Sequence, residues 1–239
     1  MSDLQKSRSI LQAAKKVMVI TGAGISTESG IPTFRGEGGY WRGHRAEDLA
    51  SPEGFKKNPR LVWDWYGERR TLVSKAQPNV AHLALASWSK RRGGISLLTQ
   101  NVDELHERAG QTDTVLLHGS LWKNRCRKCK FEHRACELAY PTLPRCKVCN
   151  EITGPGVIWF GEALDFSSFH ALNLCSIEAD VILTIGTSGL VSPTADFIKR
   201  AQTKYNTTLI NVNPTESNIQ ATIELRYKAT EIIPELTAD

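Results

Sequence analysis

Four of the six cysteines stand as two matched pairs, Cys126-Arg127-Lys128-Cys129 and Cys146-Lys147-Val148-Cys149, with sixteen residues between them. That spacing is the one by which four thiolates surround a tetrahedral zinc ion. Four sulfur ligands leave no open position for water or substrate. The expected metal is therefore one structural Zn2+, pinning a segment too poor in apolar residues to fold alone. A thioredoxin-like redox pair is the competing reading, and it does not account for a second pair. Cys136 and Cys175 remain as ordinary thiols. A second group able to do chemistry lies in Trp63-Asp64-Trp65-Tyr66-Gly67-Glu68-Arg69-Arg70. On a helix Tyr66 and Arg69 share one face. A phenol beside a guanidinium fork makes a receptor for a carboxylate; the alternative is a solvated charge next to a packed ring. Third, Gly22-Ala23-Gly24 ends the apolar run Val17-Met18-Val19-Ile20. Glycines there permit a tight turn and close backbone approach, so that amides can face a pyrophosphate. No strand ending in an acidic residue follows about twenty residues later, which argues against a hydride-transferring dehydrogenase. A plain strand-to-helix turn stays open on this motif alone.

These residues need elements to hold them. Short apolar runs recur at Ile95–Thr99, Val115–Leu117, Val181–Ile185 and Thr208–Val212, and helical patterns occupy 4–16, Pro59–Val73, Pro78–Arg92 and Pro193–Lys204. Buried strands alternating with helices indicate an α/β fold, a doubly wound parallel Rossmann-like sheet, with ligand chemistry at the carboxyl ends of the strands. Two stretches interrupt the alternation. One is Thr33–Gly43, with Gly36, Gly38, Gly39 and Gly43 inside eight residues, followed by the aromatic helix around Trp63; the other is 119–156, which carries the paired cysteines. The expected division is a Rossmann-like domain of 1–35, 80–118 and 157–239. A smaller lobe would combine a helical module, 36–79, with a zinc-binding module, 119–156.

Composition limits the function classes. With 239 residues, 41% hydrophobic and 23% charged, the chain can bury a sizeable core. The net charge of +5 is scattered with no run of five like charges, so no nucleic-acid partner is expected. No apolar stretch approaches the eighteen residues of a membrane helix. The polar start, Met1-Ser2-Asp3-Leu4-Gln5-Lys6, lacks the apolar core of a secretory signal, and unbridged Cys-x-x-Cys pairs suit a reducing compartment. The expected location is cytoplasmic.

Seven motifs then narrow the reading. Gly22-Ala23-Gly24-Ile25-Ser26, Gly30-Ile31-Pro32-Thr33-Phe34-Arg35, Thr99-Gln100-Asn101-Val102-Asp103, His118-Gly119, Phe160-Gly161-Glu162, Gly186-Thr187-Ser188 and Asn211 occur in sirtuin order. In this the chain resembles the sirtuins, NAD-dependent protein-lysine deacylases, over nearly its whole length. The resemblance implies that NAD is a co-substrate whose nicotinamide is displaced by the acyl-lysine carbonyl oxygen, releasing nicotinamide and O-acyl-ADP-ribose. It implies His118 as the base, suited by an ordinary pKa of about 6.5. Asn101 would position ribose or water, and Asp103 would recognise the nicotinamide carboxamide. Gly22, Ala23, Gly24, Ser26, Thr33, Phe34, Arg35, Tyr40, Trp41, Gln100, Val102, Gly186, Thr187, Ser188 and Asn211 would complete the NAD site.

The resemblance extends to the subgroup that removes succinyl, malonyl and glutaryl groups, which carries Tyr-x-x-Arg where this chain has Tyr66 and Arg69, and a small residue where it has Ala50. Desuccinylation above deacetylation follows as an expectation. Ile158, Phe160, Gly161 and Glu162 resemble the segment that pairs with an extended acylated peptide, so the implied partners are acylated-lysine proteins. Two departures stand out. Gly154-Pro155 replaces a customary Arg-Pro, and a customary glycine is replaced in Arg226-Tyr227-Lys228-Ala229. The rival readings are an ADP-ribosyltransferase or NAD hydrolase, and a zinc-ribbon binding module with Arg125, Arg127, Lys128 and Lys130 as its basic face.

Overall fold

The computed structural model describes residues 1–33, 40–135, 137–187, 192–214 and 219–238, leaving aside the side chain of Tyr40. Its centre is a six-stranded sheet in the order β11-β10-β9-β1-β4-β5, with β1 at Val17–Thr21, β4 at Ser96–Thr99, β5 at Val115–Leu116, β9 at Val181–Ile185, β10 at Thr208–Val212 and β11 at Ile223–Leu225. Every pairing is parallel; β1 lies against β4 with Val19 opposite Leu97 and against β9 with Val19 opposite Leu183. All five residues of β1 and of β9 are buried, because helices cover both faces of the sheet.

Strand alternation sorts the side chains into two cores. Val17 and Val19 pack with Leu11 of α1 (Asp3–Ala13), Leu85 and Trp88 of α5 (Val80–Arg92), and Ile232 and Ile233 of α9 (Ala229–Leu236). Met18 and Ile20 point the other way, toward Leu172 of α7 (Phe166–Glu178) and Phe197 and Ile198 of α8 (Thr194–Tyr205). Helices start where short polar side chains accept their free amides: Ser2 caps α1 and Asn79 caps α5, each as a reciprocal capping box. Gly93 ends α5 in the left-handed region, at φ +76°. Successive strands leave β1 in opposite directions, β4 then β5 on one side and β9 to β11 on the other, so the switch point lies at β1 and β9.

The smaller lobe has its own core. Short strands β2 (Tyr40–Trp41) and β3 (His44–Arg45) lead into α2 (Ala46–Leu49), α3 (Pro52–Lys57) and α4 (Pro59–Lys75). Val62, Trp63, Trp65 and Tyr66 of α4 pack with Leu121 of β6 (Gly119–Cys126) and Val157 of β8 (Thr153–Val157). With β7 (Glu132–Arg134) these strands form an antiparallel sheet, β7-β6-β8. Arg70, fully buried, fastens α4 to it. Its guanidinium donates to the carbonyls of Leu121, Lys123 and Glu137 and to Asn124 Oδ1, at 2.7–3.2 Å. A buried cation with four acceptors has its desolvation offset; nothing in the sequence distinguished it from its neighbour Arg69.

Candidate functional site

The tips of β1, β4, β5 and β9 open into one cavity of about 440 Å³. Gly22, Ala23 and Gly24 form one edge, Gln100, Asn101 and Val102 the floor after β4, His118 the end of β5, and Gly186 and Thr187 the end of β9. The segment from Val157 to Glu162 makes the opposite wall, with Ala50, Tyr66 and Glu47 from the smaller lobe at its far end. A wider depression of about 720 Å³ runs along α4 past Gly67, Thr71 and Lys75, and it gathers none of the strand tips.

The glycines are dictated by contact between two turns. A Cβ on Gly24 would lie 2.6 Å from Gly186 Cα, and one on Gly22 would lie 2.8 Å from Gly186 O. The Gly22 and Gly24 amides bond the carbonyls of Ile185 and Gly186, at 2.9 and 2.8 Å. Both glycines therefore serve here to bring the β1 and β9 turns together, and their own amides are spent on that contact. The chain then continues as a 3₁₀ turn, Ala23–Ser29.

Around the floor, polar groups hold one another. Asn101 Nδ2 donates to Gly22 O and Ser26 Oγ, both at 3.1 Å, and the Asn101 amide donates to Thr99 Oγ1 at 3.0 Å. Thr187 Oγ1 donates to Gln100 Oε1 at 2.9 Å. Asp103 is buried, accepting from Ser26 Oγ and from the Leu105 amide at 2.9 Å each, so it also holds the turn that leads into the short helix α6 (Leu105–Arg108). Burial raises its pKa against those two bonds and against Arg69 and Arg108. His118 Nδ1 lies 3.0 Å from Gln100 O. A carbonyl only accepts, so Nδ1 carries the proton and Nε2 keeps a free lone pair. Burial lowers the His118 pKa, the Gln100 bond opposing, which favours the neutral ring.

At the far end, Tyr66 is 3% exposed and its oxygen accepts from Trp159 Nε1 at 3.1 Å. Burial lifts the phenol to about 12, so its own proton stays in place to be donated. Among the described residues that line the cavity Tyr66 and Ala50 are present and Arg69 is not. The Arg69 guanidinium packs 5.4 Å from the Trp65 ring, its pKa lowered by burial while Tyr66 and Asp103 favour the charge. Ile158 and Phe160 are held in the wall through their amides, to His118 O and Ala50 O, at 2.9 Å each.

Several sequence expectations fall elsewhere. Asn211 is fully buried inside β10, accepting from Thr184 Oγ1 at 2.8 Å, and is not among the lining residues. Asn213, just past the strand, lines the cavity and donates to Thr187 O at 3.1 Å. The two differ in reach: Asn211 is paired within the β10–β11 ladder, whereas Asn213 stands past the strand, at the Asn213-Pro214 turn signal. Trp41 donates to Glu68 Oε2 at 2.6 Å, on the α4 side. Thr33 lines the cavity. Phe34, Arg35 and Ser188 lie outside the described residues, as do Gly36, Gly38, Gly39, Cys136 and the Tyr40 side chain. The basic face of the rival zinc-ribbon reading is largely engaged: Arg125 with Glu132, Arg127 with Glu162 and Lys128 with Glu151.

The four cysteine sulfurs lie within 4.8 Å of one another, Cys126 to Cys149 at 3.4 Å and Cys129 to Cys146 at 3.5 Å. Zinc–thiolate bonds near 2.3 Å put tetrahedral sulfurs roughly 3.8 Å apart, whereas a disulfide needs about 2.05 Å. The cluster fits the metal. Its two halves are built alike. The amides of Lys130 and Asn150 return to Cys126 O and Cys146 O at 3.1 and 2.9 Å, both residues being left-handed at φ +64° and +60°.

Comparison with known proteins decides the family. The Sir2 family model matches residues 22–193. The chain belongs to the Sir2 family. It is 42% identical over 213 residues to an NAD-dependent protein deacylase of Aquifex aeolicus, covering 89% of each chain. The solved complex of a Sir2 homolog with NAD superimposes at a TM-score of 0.92, with 40% identity over 98% of this chain and 92% of that one. A Sir2 variant bound to a deacetylated p53 peptide and 3'-O-acetyl ADP ribose gives 0.85, with 26% identity over 98% and 96%. Among the described residues, no helix of this Sir2 chain is long and apolar enough to cross a membrane.

Proposed function

We propose that the chain is an NAD-dependent protein-lysine deacylase whose co-substrate NAD occupies the cavity at the β1–β9 switch point, with His118 as the base. The observation that carries this reading is the meeting of four strand tips, His118 among them, in one cavity walled by 157–162. NAD supplies the electrophilic sugar carbon and the leaving nicotinamide. This chain's residues bind, orient and move protons. Thr33, Gln100, Val102, Gly186 and Thr187 flank the dinucleotide, with Asn213 in the place first assigned to Asn211. Asn101, fixed by Gly22 and Ser26, holds ribose or a water, and Asp103 stands behind it toward the carboxamide. His118 Nε2 takes the ribose hydroxyl proton, a role that burial favours by keeping the ring neutral. Trp41 and the residues outside the described set keep the assignments the family resemblance gives them.

The acylated lysine enters along Ile158, Phe160, Gly161 and Glu162 as an extended peptide, with the zinc cysteines as scaffold. Its acyl tail ends at Ala50 and Tyr66. Succinyl, malonyl and glutaryl tails are preferred over acetyl. The support is a phenol proton kept available beside a cation, Arg69, one helical turn on. Arg69 acts from behind Tyr66, and Glu47 at the same end has its charge paired by Arg45. The test is kcat/KM with NAD on matched acetyl-, malonyl-, succinyl- and glutaryl-lysine peptides, with products identified by mass. O-acyl-ADP-ribose is expected; free ADP-ribose or labelled protein in its place would favour an NAD hydrolase or an ADP-ribosyltransferase. Arg69→Met is expected to lower desuccinylation about tenfold and deacetylation far less, as removal of a cation that acts on the tail's carboxylate through space, at low effective dielectric, does. Equal losses would remove the acid preference.

A further inference from the structure

Arg127 lies inside the first Cys-x-x-Cys pair, yet its side chain leaves the cysteine cluster and reaches the cavity wall. One guanidinium nitrogen donates to Pro155 O at 2.7 Å and Val157 O at 3.3 Å; the other faces both Glu162 oxygens at 3.2 Å. Its plane sits 3.5 Å from the Trp159 ring centroid. Glu162 Oε2 also accepts from the Trp159 amide at 2.9 Å, and Trp159 Nε1 donates to Tyr66. One side chain thus ties both ends of the segment and the ring between them. It is mostly buried, with Arg127 19% and Glu162 25% exposed. Room for it comes from Gly154, where a Cβ would lie 2.8 Å from Arg127 Nε and 3.1 Å from Trp159. The cation that reaches this wall comes from the cysteine knuckle.

We propose that Arg127 is the positioning residue for the peptide-binding segment, and that it makes peptide binding depend on an intact four-cysteine site. The inference rests on the reading of 157–162 as the peptide wall. Arg127 touches neither peptide nor dinucleotide; it acts through Trp159 and Glu162. A lysine in its place cannot stack and hold three acceptors in one plane.

The test uses Arg127→Ala and Arg127→Lys in the zinc-loaded full chain, with metal content measured first. Calorimetric binding of an acyl-lysine peptide, without turnover, is expected to weaken about tenfold in both variants, while NAD affinity and zinc content hold. Unchanged peptide affinity, or equal losses for peptide and NAD, would overturn the proposal. Gly154→Ala supplies an independent arm read by thermal unfolding. It should lower Tm in the parent chain and much less in the Arg127→Ala background, since the clash is gone; additive losses would also overturn it. Should the parent protein bind no acylated peptide, the reading of the wall fails, and the Gly154–Arg127 cycle alone still decides whether Arg127 holds the segment.

Discussion

At the scale of single residues, the chemistry turns on which nitrogen of His118 is free. The Gln100 carbonyl fixes the Nδ1 proton, and burial keeps the ring neutral at a lower pH than an exposed histidine would be. With His118 as the proposed base the sign follows: the deprotonated ring is the working form, so activity is lost on the acid side, at a lower pH than an exposed histidine would set. His118→Ala is expected to lower kcat by about 100-fold or more, as loss of a general base does, while Tm and zinc content stay near those of the parent. Normal turnover in that variant would remove His118 as the base. The sequence located this histidine because it ends a strand next to the one that delivers Asn101 and Asp103. It singled out Asn211, which lies buried within β10, and passed over Asn213, two residues on, which lines the cavity. It gave Arg70 no role and read Arg127 only as part of a basic face. Each is defined by acceptors far away in the chain, which no local spacing displays.

Among the elements, five of the six parallel strands were legible, and the short edge strand β11 and the irregular elements were not. The runs Val181–Ile185 and Thr208–Val212 coincide with β9 and β10, since a strand buried on both faces has to be apolar throughout. α7 gave no usable period: Phe166, Phe169, Leu174 and Ile177 are exposed while Leu172 is buried, so apolar residues ring the helix. α9 contains Pro234, which argues against a helix in any local reading, and it is held by packing of Ile232, Ile233 and Leu236. The cysteine knuckles were read from spacing alone, and their energetic weight can be checked. Metal analysis of protein never exposed to chelator is expected to give one zinc per chain. Cys146→Ser is expected to lose that zinc and to lower Tm by roughly 10 °C, because metal binding contributes several kcal/mol of folding free energy and each kcal/mol shifts Tm by about 2–4 °C at this size. A fully stable protein without metal would remove the structural role of the site.

For the molecule as a whole, the same burial that tunes the cavity also makes folding sensitive to acid. His82 on α5 and His106 on α6 are buried with ring centroids 4.8 Å apart, and His106 Nε2 lies 2.9 Å from Thr21 Oγ1, which donates to Thr99 Oγ1 at 2.8 Å. This contact joins α5 and α6 to the tips of β1 and β4 beneath the cavity floor. Burial pushes His82 down to about 4. Burial, with His82 beside it, pushes His106 down to about 3. The unfolded chain takes up these protons near pH 6.5 and the folded chain does not, so stability is complete above that pH and falls as pH drops toward 4. His118 and His133 act in the same direction; Asp103 and Glu107, raised by burial, act in the opposite one. Each proton fully withheld costs about 1.4 kcal/mol per pH unit, and since the unfolded rings are only half protonated at pH 6.5, the pair accounts for about 3 kcal/mol between pH 6.5 and 5. Urea unfolding of the parent and of a His82→Gln, His106→Gln double variant, measured from pH 7.5 to 5, isolates that pair because both proteins keep Asp103, Glu107, His118 and His133. The parent is expected to lose stability on acidification and the variant to lose distinctly less, even if it starts lower, since glutamine preserves a donor for Thr21 without a titrating group. Parallel curves would mean that the two rings accept protons in the folded protein as readily as in water, and that the floor of the cavity is wetter than its burial implies.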